Sequence, residues 1–209
     1  MRKAVWYFDV ISPYSYLHLK RFGELPRDLE IEYRPILFAG LLHHWGQKGP
    51  AEITPKRKWT YRSCQFWADS HAIAFRFPAA HPFNPLHYQR LILACGATHD
   101  VVSRVFDHVW TTGGNPADEK RFGDLARSLG VEDLTRLAAP EVKDGLRANT
   151  EEAAVLGVFG VPTFVAEGEI FWGNDSLEFF KAWLADPAIF ASAEMRRIDT
   201  LPISAARKP

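Results

Sequence analysis

The chain opens with an apolar and aromatic run at positions 4–8, which predicts a buried β-strand. A turn at Ser12 and Pro13 follows, and proline suits the first turn of a helix because its missing N–H has no partner there. Apolar residues within positions 16–19 give that predicted helix an apolar face. Positions 29–34 alternate between apolar and charged residues and predict a second, half-buried strand parallel to the first. The chain therefore begins strand–helix–strand.

Between residues 38 and 156 the apolar positions recur at helical spacing, without a convincing strand pattern. Polar caps, prolines and glycines mark where the predicted helices begin and end. The predicted starts are Thr54, Asn84, Asp100, Asp118 and Pro140. The first of these helices is expected to extend to Ile73. Together the segments predict one helical subdomain.

Strand patterns return after residue 157. Positions 161–165 and 170–172 are separated by a short turn that contains glycine, which predicts a β-hairpin. Asp175, with Glu178 three residues later, predicts the N-cap of a final helix. The signals fade after Pro187, and residues past about 201 are expected to form a loose tail.

The composition is that of a folded chain with balanced charge. Its 209 residues include 25 basic and 25 acidic side chains, and 47% of them are hydrophobic. These values argue against disorder and give no support to a nucleic acid or a membrane surface as a partner. No apolar stretch approaches the ~20 residues of a transmembrane helix. The first apolar run is broken by Asp9 and Pro13, too early for a signal peptide.

Cys64 and Cys95 are the two cysteines, and their spacing gives neither a disulfide framework nor a metal site. The histidines are scattered and show no convincing ligand spacing either. We therefore expect no metal. A cytoplasmic enzyme is the simplest interpretation.

Ser12 stands where a predicted strand ends and a predicted helix begins. Such a position has free backbone N–H groups and the positive end of a helix dipole, and it favours anions. Serine is also a preferred N-cap residue, and on these local signals alone a plain cap is the commoner interpretation.

The residues around Ser12 also carry a family resemblance. The stretch resembles the opening of the 2-hydroxychromene-2-carboxylate isomerases, through the motif Phe8-Asp9-x-x-Ser12-Pro13-Tyr14-Ser15-Tyr16-Leu17. That family is similar to the kappa-class glutathione transferases and to the DsbA-like branch of the thioredoxin superfamily. In the redox branch, cysteines would occupy the positions of Ser12 and Ser15. Shorter likenesses lie at residues 159–163 and 172–175, and the order of predicted elements extends the resemblance over nearly the whole chain.

The resemblance, together with the element order, implies an α/β thioredoxin-like fold with a large all-helical insertion. The thioredoxin-like domain would be discontinuous and comprise residues 1–37 and 157–209. The inserted helical domain would comprise residues 38–156.

The resemblance further implies glutathione as the cofactor and Ser12 as the catalytic residue, which would stabilise the glutathione thiolate without attacking the substrate. Val161, which precedes an expected cis Pro162, would pair through its backbone with the extended tripeptide. The γ-glutamyl end would be bound at the start of the last helix by Asn174, Asp175 and Ser176. An ordinary capping turn is an equally weighted, compatible interpretation of those three residues.

Two more residues are implied to bind the substrate, and each has a plainer interpretation. Lys56 would face a substrate carboxylate, but it belongs to a short basic run that is typical of a solvated helix face. Asn84 would border the acceptor pocket, but it also fits a helix cap. The sequence departs from the best-known isomerases at residues 41–44, which lack their lysine, and at Glu52, where they have asparagine. The acceptor substrate therefore stays open.

The expected function is glutathione-dependent cis–trans isomerisation of 2-hydroxychromene-2-carboxylate or a similar aromatic enone carboxylate, by reversible thiolate addition. One alternative is a kappa-class-like glutathione transferase or peroxidase. A second is a non-catalytic protein that binds thiol peptides. The expected partner is a small-molecule substrate, and a homodimer is left open.

Overall fold

The computed structural model describes residues 2–205, and these contain a four-stranded mixed sheet in the order β2-β1-β3-β4. Its strands are β1 (Lys3–Phe8), β2 (Glu30–Pro35), β3 (Thr163–Ala166) and β4 (Glu169–Trp172). Strand β2 runs parallel to β1, whereas β3 pairs antiparallel with both β1 and β4. This topology, with a long helical segment between β2 and β3, confirms the α/β thioredoxin-like fold with a helical insertion.

Helices make up most of the remaining structure. The α-helices within residues 2–205 are α1 (Pro13–Leu19), α2 (Phe38–His44), α3 (Thr54–Ser70), α4 (Leu86–Ala94), α5 (His99–Trp110), α6 (Glu119–Ser128), α7 (Pro140–Val155), α8 (Leu177–Ala185) and α9 (Ala193–Ile198). None of these helices combines the length and the apolar character that crossing a bilayer requires.

One face of the sheet carries a continuous aromatic core. Trp6 and Phe8 of β1 stack with ring centroids 4.4 Å apart, and Phe164 of β3 stacks on Phe180 of α8 at 4.5 Å. Trp6 also contacts Phe106 of α5, with 6.2 Å between the ring centroids. All five side chains are fully buried, and they belong to one cluster that continues through α1, α4 and α5. The insertion and the sheet therefore share one core.

The other face of the sheet is covered by α2 and the C-terminal half of α7. Tyr7 and Ile36 pack there with Leu41 of α2, Ala153 of α7 and Val158. Helix α2 was not predicted. The domain limits 1–37 with 157–209 and 38–156 stay a prediction, since each of the two hydrophobic clusters contains residues of both predicted domains. Residues 206–209 of that division, and of the expected tail, lie outside the described residues.

Several predicted boundaries differ from the structure. Helix α3 ends at Ser70, before Ala72 adopts a left-handed φ of 52°, and so does not reach Ile73. Thr98, two residues before the predicted Asp100, caps α5 through its side chain. The predicted starts at Asp118 and Pro140 are confirmed, as N-cap and first helical residue respectively.

Candidate functional site

Ser12 is the N-cap of α1, with Pro13 in the first helical turn, as predicted. The Ser12 Oγ atom accepts a hydrogen bond from the Ser15 N–H at 3.2 Å. This is the only hydrogen bond of that hydroxyl within residues 2–205, so its proton is available to a ligand. The side chain is nearly buried, with 8% of its surface exposed. Capping and donation to an anion are therefore compatible in one serine.

Asp9 lies beneath the loop that carries Ser12 and is 1% exposed. Its carboxylate accepts two backbone hydrogen bonds, from Ile11 N–H at 3.0 Å and from Phe38 N–H at 2.8 Å. Burial raises the pKa of Asp9 to about 7, and these two hydrogen bonds act against that rise. Asp9 thus holds the Ser12 loop against the start of α2.

Side chains of the insertion also bind the backbone before Ser12. Gln89 of α4 donates through Nε2 to the Phe8 carbonyl at 3.0 Å and to the Ile36 carbonyl at 2.6 Å. Trp110 of α5 donates through Nε1 to the Val10 carbonyl at 2.9 Å. Buried carbonyls need such partners, since an unpaired one costs about 1–3 kcal/mol. The insertion therefore fixes the path of the chain into the site.

His81 supplies a further contact with this loop. Its Nε2 atom lies 2.9 Å from the Ile11 carbonyl oxygen, and its Nδ1 atom lies 2.8 Å from the Tyr61 hydroxyl. Burial lowers the pKa of His81; the bond to Ile11 opposes this, and the charge of Arg57 lowers it further. Burial and the charge of Arg57 therefore both favour the uncharged form of the ring.

The Val161–Pro162 peptide bond is cis, as expected. The Pro162 carbonyl accepts a hydrogen bond from Gly173 N–H at 2.9 Å, which links this loop to the turn at Asn174–Ser176. Within residues 2–205, neither the N–H nor the carbonyl of Val161 takes part in a backbone hydrogen bond. An extended peptide could therefore pair with Val161.

The 3-10 turn Asn174–Ser176 lies against α1. Asn174 is 4% exposed, and its buried Oδ1 atom has no hydrogen-bond partner among the described residues. Ser176 donates through Oγ to the Gly173 carbonyl at 2.8 Å. Asp175 is not the helix cap, which corrects the sequence-based expectation: the turn continues directly into α8, whose N-cap position is Ser176 and receives no side-chain cap.

The two predicted substrate residues lie elsewhere on the insertion. Lys56 is exposed on α3, whereas the adjacent Arg57 is half-buried on the face that also carries Tyr61. Asn84 accepts a hydrogen bond from Leu86 N–H at 3.0 Å through Oδ1, as a residue at a helix start does. The structure thus brings the turn at Asn174–Ser176 to α1 and leaves the roles of Lys56 and Asn84 as predictions.

The chain is similar to known proteins over most of its length. A family model of the DsbA-like thioredoxin domain matches residues 4–185. The 2-hydroxychromene-2-carboxylate isomerase of Sphingobium xenophagum is 30% identical over 196 residues, which span 89% of this chain and 100% of that protein. The chain belongs to the DsbA-like 2-hydroxychromene-2-carboxylate isomerase family.

Two further proteins are similar to this chain over most of its length. Glutathione S-transferase kappa 2 of Caenorhabditis elegans is 32% identical over 89% of this chain and 93% of its own length. A solved structure of 2-hydroxychromene-2-carboxylate isomerase superposes with a TM-score of 0.78 at 27% identity, covering 92% of this chain and 98% of that one. The likeness supports an enzyme of the isomerase or transferase type.

Sequence reasoning missed several residues that this isomerase-family fold places around Ser12. Asp9 enters the sequence analysis as a break in the first apolar run and as part of the family motif, but not as a site residue. A carboxylate that directly follows a buried strand is nevertheless a signal of a hydrogen-bonded or functional group. Gln89 gave a weaker signal, because the polar residues His87 and Arg90 belong to the same helix segment. His81 and Trp110 carried none, because their partners are distant in sequence.

Proposed function

We propose that this protein is a glutathione-dependent cis–trans isomerase that acts on 2-hydroxychromene-2-carboxylate or a similar aromatic enone carboxylate. The observation that carries the proposal is the available hydroxyl proton of Ser12 at the start of α1, in a motif without cysteine. A serine there can stabilise a thiolate that a ligand brings. Membership in a family with named isomerases supports the reaction type.

The residues around Ser12 fit a glutathione molecule. Val161 would offer to an extended peptide its N–H and carbonyl, which make no backbone hydrogen bond with the part of the chain that the structure describes. Asn174 has a buried Oδ1 atom that finds no partner among the described residues, which suits an ammonium group, and Asp175 would add a carboxylate. Ser176 and the nearby turn would hold the γ-glutamyl carboxylate. These residues would therefore bind the tripeptide at both its backbone and its amino-terminal end.

When bound, glutathione supplies a thiolate that adds reversibly to the conjugated double bond, which permits rotation about it. Ser12 would donate a hydrogen bond to the sulfur, and a hydrogen bond to a charged group contributes about 1.5–3 kcal/mol. The start of α1 adds about 0.3–1 kcal/mol. At 1.36 kcal/mol per unit, together these would lower a thiol pKa near ~8.5 by ~1.3–2.9 units, to about 7 or below. Ser12 and α1 would thus make a large fraction of the bound thiol a thiolate at neutral pH.

A basic residue of α3 would bind the substrate carboxylate. The family resemblance favours Lys56, whereas the structure shows that Arg57 is the less exposed of the two. Neither residue belongs to an ion pair within residues 2–205, so both charges are available. Asn84 would border the acceptor, with its side-chain oxygen already bonded to Leu86 N–H.

The test is an assay of the purified protein with 2-hydroxychromene-2-carboxylate and either glutathione, no thiol, or S-methylglutathione. We expect isomerisation with glutathione alone, and an unchanged amount of free glutathione at the end. S-methylglutathione is the matched control because it keeps the peptide but lacks the nucleophile. Turnover without a thiol would contradict the proposal.

A glutathione transferase is the second candidate, since a kappa-class transferase is as similar to this chain as the isomerases are. Mass spectrometry separates the two, because a transferase accumulates stable glutathione conjugates and an isomerase does not. Glutathione binding without turnover on either substrate class would favour the non-catalytic binder. The homodimer and the cytoplasmic location stay predictions.

A further inference from the structure

Ile11, the residue before Ser12, has both of its backbone groups held by side chains. Its N–H donates to Asp9 Oδ1 at 3.0 Å, and its carbonyl oxygen lies 2.9 Å from His81 Nε2. Asp9 belongs to the same loop, whereas His81 comes from the insertion, 70 residues away. One contact is therefore local and the other joins two parts of the fold.

The partners of His81 determine its tautomer. A carbonyl oxygen carries no proton, so His81 Nε2 must carry the proton and donate to Ile11. The Tyr61 hydroxyl donates to the His81 carbonyl at 2.7 Å, and its oxygen also lies 2.8 Å from Nδ1 of the ring. The ring also packs against Phe77 and Trp110, at centroid distances of 5.9 and 5.7 Å. Tyr61 and the aromatic neighbours thus fix the direction of the Nε2–H bond.

The Ile11 carbonyl and the Ser12 N–H belong to one planar peptide group. A hydrogen bond that holds the carbonyl oxygen also fixes the plane, and with it the direction of the Ser12 N–H, which donates to the Asp9 carbonyl at 3.0 Å. The orientation of this plane sets the backbone from which the Ser12 side chain projects. His81 is therefore in a position to control where the Ser12 hydroxyl points.

We propose that His81 is a positioning residue for the reaction: by donating to the Ile11 carbonyl it orients Ser12 toward the thiolate. The proposal rests on the proposed function, and it goes further by giving the helical insertion a part in the chemistry. A residue that only stabilised the fold would change the melting temperature alone. A positioning residue changes the pKa of the bound thiol and kcat, with little effect on KM.

The experiment compares three variants with the wild type. His81→Ala removes the donor, whereas His81→Gln keeps an N–H donor at a similar reach. His71→Ala is the matched control, because His71 is an exposed histidine at the end of α3. The readouts are the thiolate absorbance titration of bound glutathione, kcat and KM, the melting temperature, and hydrogen exchange of the Ser12 amide.

We expect His81→Ala to raise the pKa of the bound thiol by about one unit and to lower kcat about tenfold. His81→Gln should recover most of both effects, and His71→Ala should match the wild type. A thiol pKa and kcat within about twofold of the wild type in His81→Ala would overturn the proposal, whatever the change in melting temperature. So would equal losses in the alanine and glutamine variants.

Hydrogen exchange of the Ser12 amide tests the positioning role of His81 without glutathione, and therefore independently of the proposed function. If the wild type binds no glutathione, the proposed function fails, but hydrogen exchange still reports on the loop. Faster exchange of the Ser12 N–H in His81→Ala than in His81→Gln then supports the positioning role. Equal exchange in all variants contradicts it.

Discussion

Asp9 and Phe38 are joined by a hydrogen bond in which the Phe38 N–H donates to Asp9 Oδ2 at 2.8 Å. This bond ties the loop before Ser12 to the first residue of α2, on the second face of the sheet. Because Asp9 is buried, its ionised form lacks the solvation that it has in the unfolded chain. Burial therefore raises the pKa of Asp9 from 3.8 to about 7, despite its two backbone hydrogen bonds.

The raised pKa of Asp9 predicts a specific pH dependence of stability. Between about pH 4 and pH 7 the folded state holds a proton that the unfolded state has lost, so the contribution of Asp9 to stability falls as the pH rises. His18 acts in the opposite direction, because burial lowers its pKa to about 3. We therefore compare the free energy of unfolding of the wild type with that of Asp9→Asn at each pH. The contribution of His18 is the same in both proteins and cancels, so the difference reports on Asp9 alone.

Urea unfolding of both proteins at pH 4.5, 6 and 7.5 provides this difference. The free energy of unfolding of the wild type should decline relative to that of Asp9→Asn as the pH rises. Parallel pH profiles for the two proteins would show that Asp9 stays ionised in the folded state.

The second prediction compares two serines of one helical turn. Ser12→Ala should lower kcat about 10- to 100-fold and raise the pKa of bound glutathione by about 1–2 units, because it removes a hydrogen bond to a charged group. Ser15→Ala is the matched control, since the buried Ser15 Oγ has no hydrogen-bond partner among the described residues. Kinetics and a thiolate absorbance titration measure both effects. Equal activities in the two variants would show that Ser12 acts only as a helix cap.

The surroundings of Ser12 show which parts of the site a sequence can predict. The cap at Ser12 and the proline after it are local signals, because the bond from Ser15 N–H joins residues three positions apart. The same holds for the cap at Asp118. The cis bond at Pro162 was expected from family resemblance rather than from any local pattern.

The support of the Ser12 loop could not be predicted in the same way. His81 reaches Ile11 across 70 positions, and Gln89 reaches Phe8 across 81. No periodicity encodes such contacts, since they depend on how the insertion docks on the sheet. Asp175 illustrates the opposite error: its cap pattern is local and strong, yet the chain enters α8 through a 3-10 turn instead.

The third prediction distinguishes the two basic residues of α3. A charge-assisted hydrogen bond to a carboxylate contributes more where solvent is excluded, so the half-buried Arg57 should matter more than the exposed Lys56. We expect Arg57→Met to raise the KM for the carboxylate substrate about tenfold or more, and Lys56→Met to raise it less. The methyl ester of the substrate is the control. It has no carboxylate charge, so its KM should not rise more in Arg57→Met than in Lys56→Met. A larger effect of Lys56→Met would instead support the residue that the resemblance indicates.

The last prediction concerns the two cysteines. Cys64 is fully buried in α3, and burial raises the pKa of its thiol to about 12, although Tyr14 acts against that rise. Burial also raises the pKa of Cys95, which lies just past α4 with its thiol 3.8 Å from the Leu129 carbonyl oxygen. Thiolates are the reactive species in disulfide exchange, so neither cysteine should attack a disulfide at neutral pH.

We therefore expect no insulin reduction by the native protein, and full isomerase activity in the double variant Cys64→Ala with Cys95→Ala. Ser12→Cys combined with Ser15→Cys is the informative positive control, because it places a cysteine pair at the start of α1, where the helix dipole and free N–H groups lower a thiol pKa. That variant should reduce insulin while the wild type does not. The prediction is wrong if the wild type reduces insulin and loses this activity in Cys64→Ala or Cys95→Ala. A cysteine of the insertion would then be redox-active.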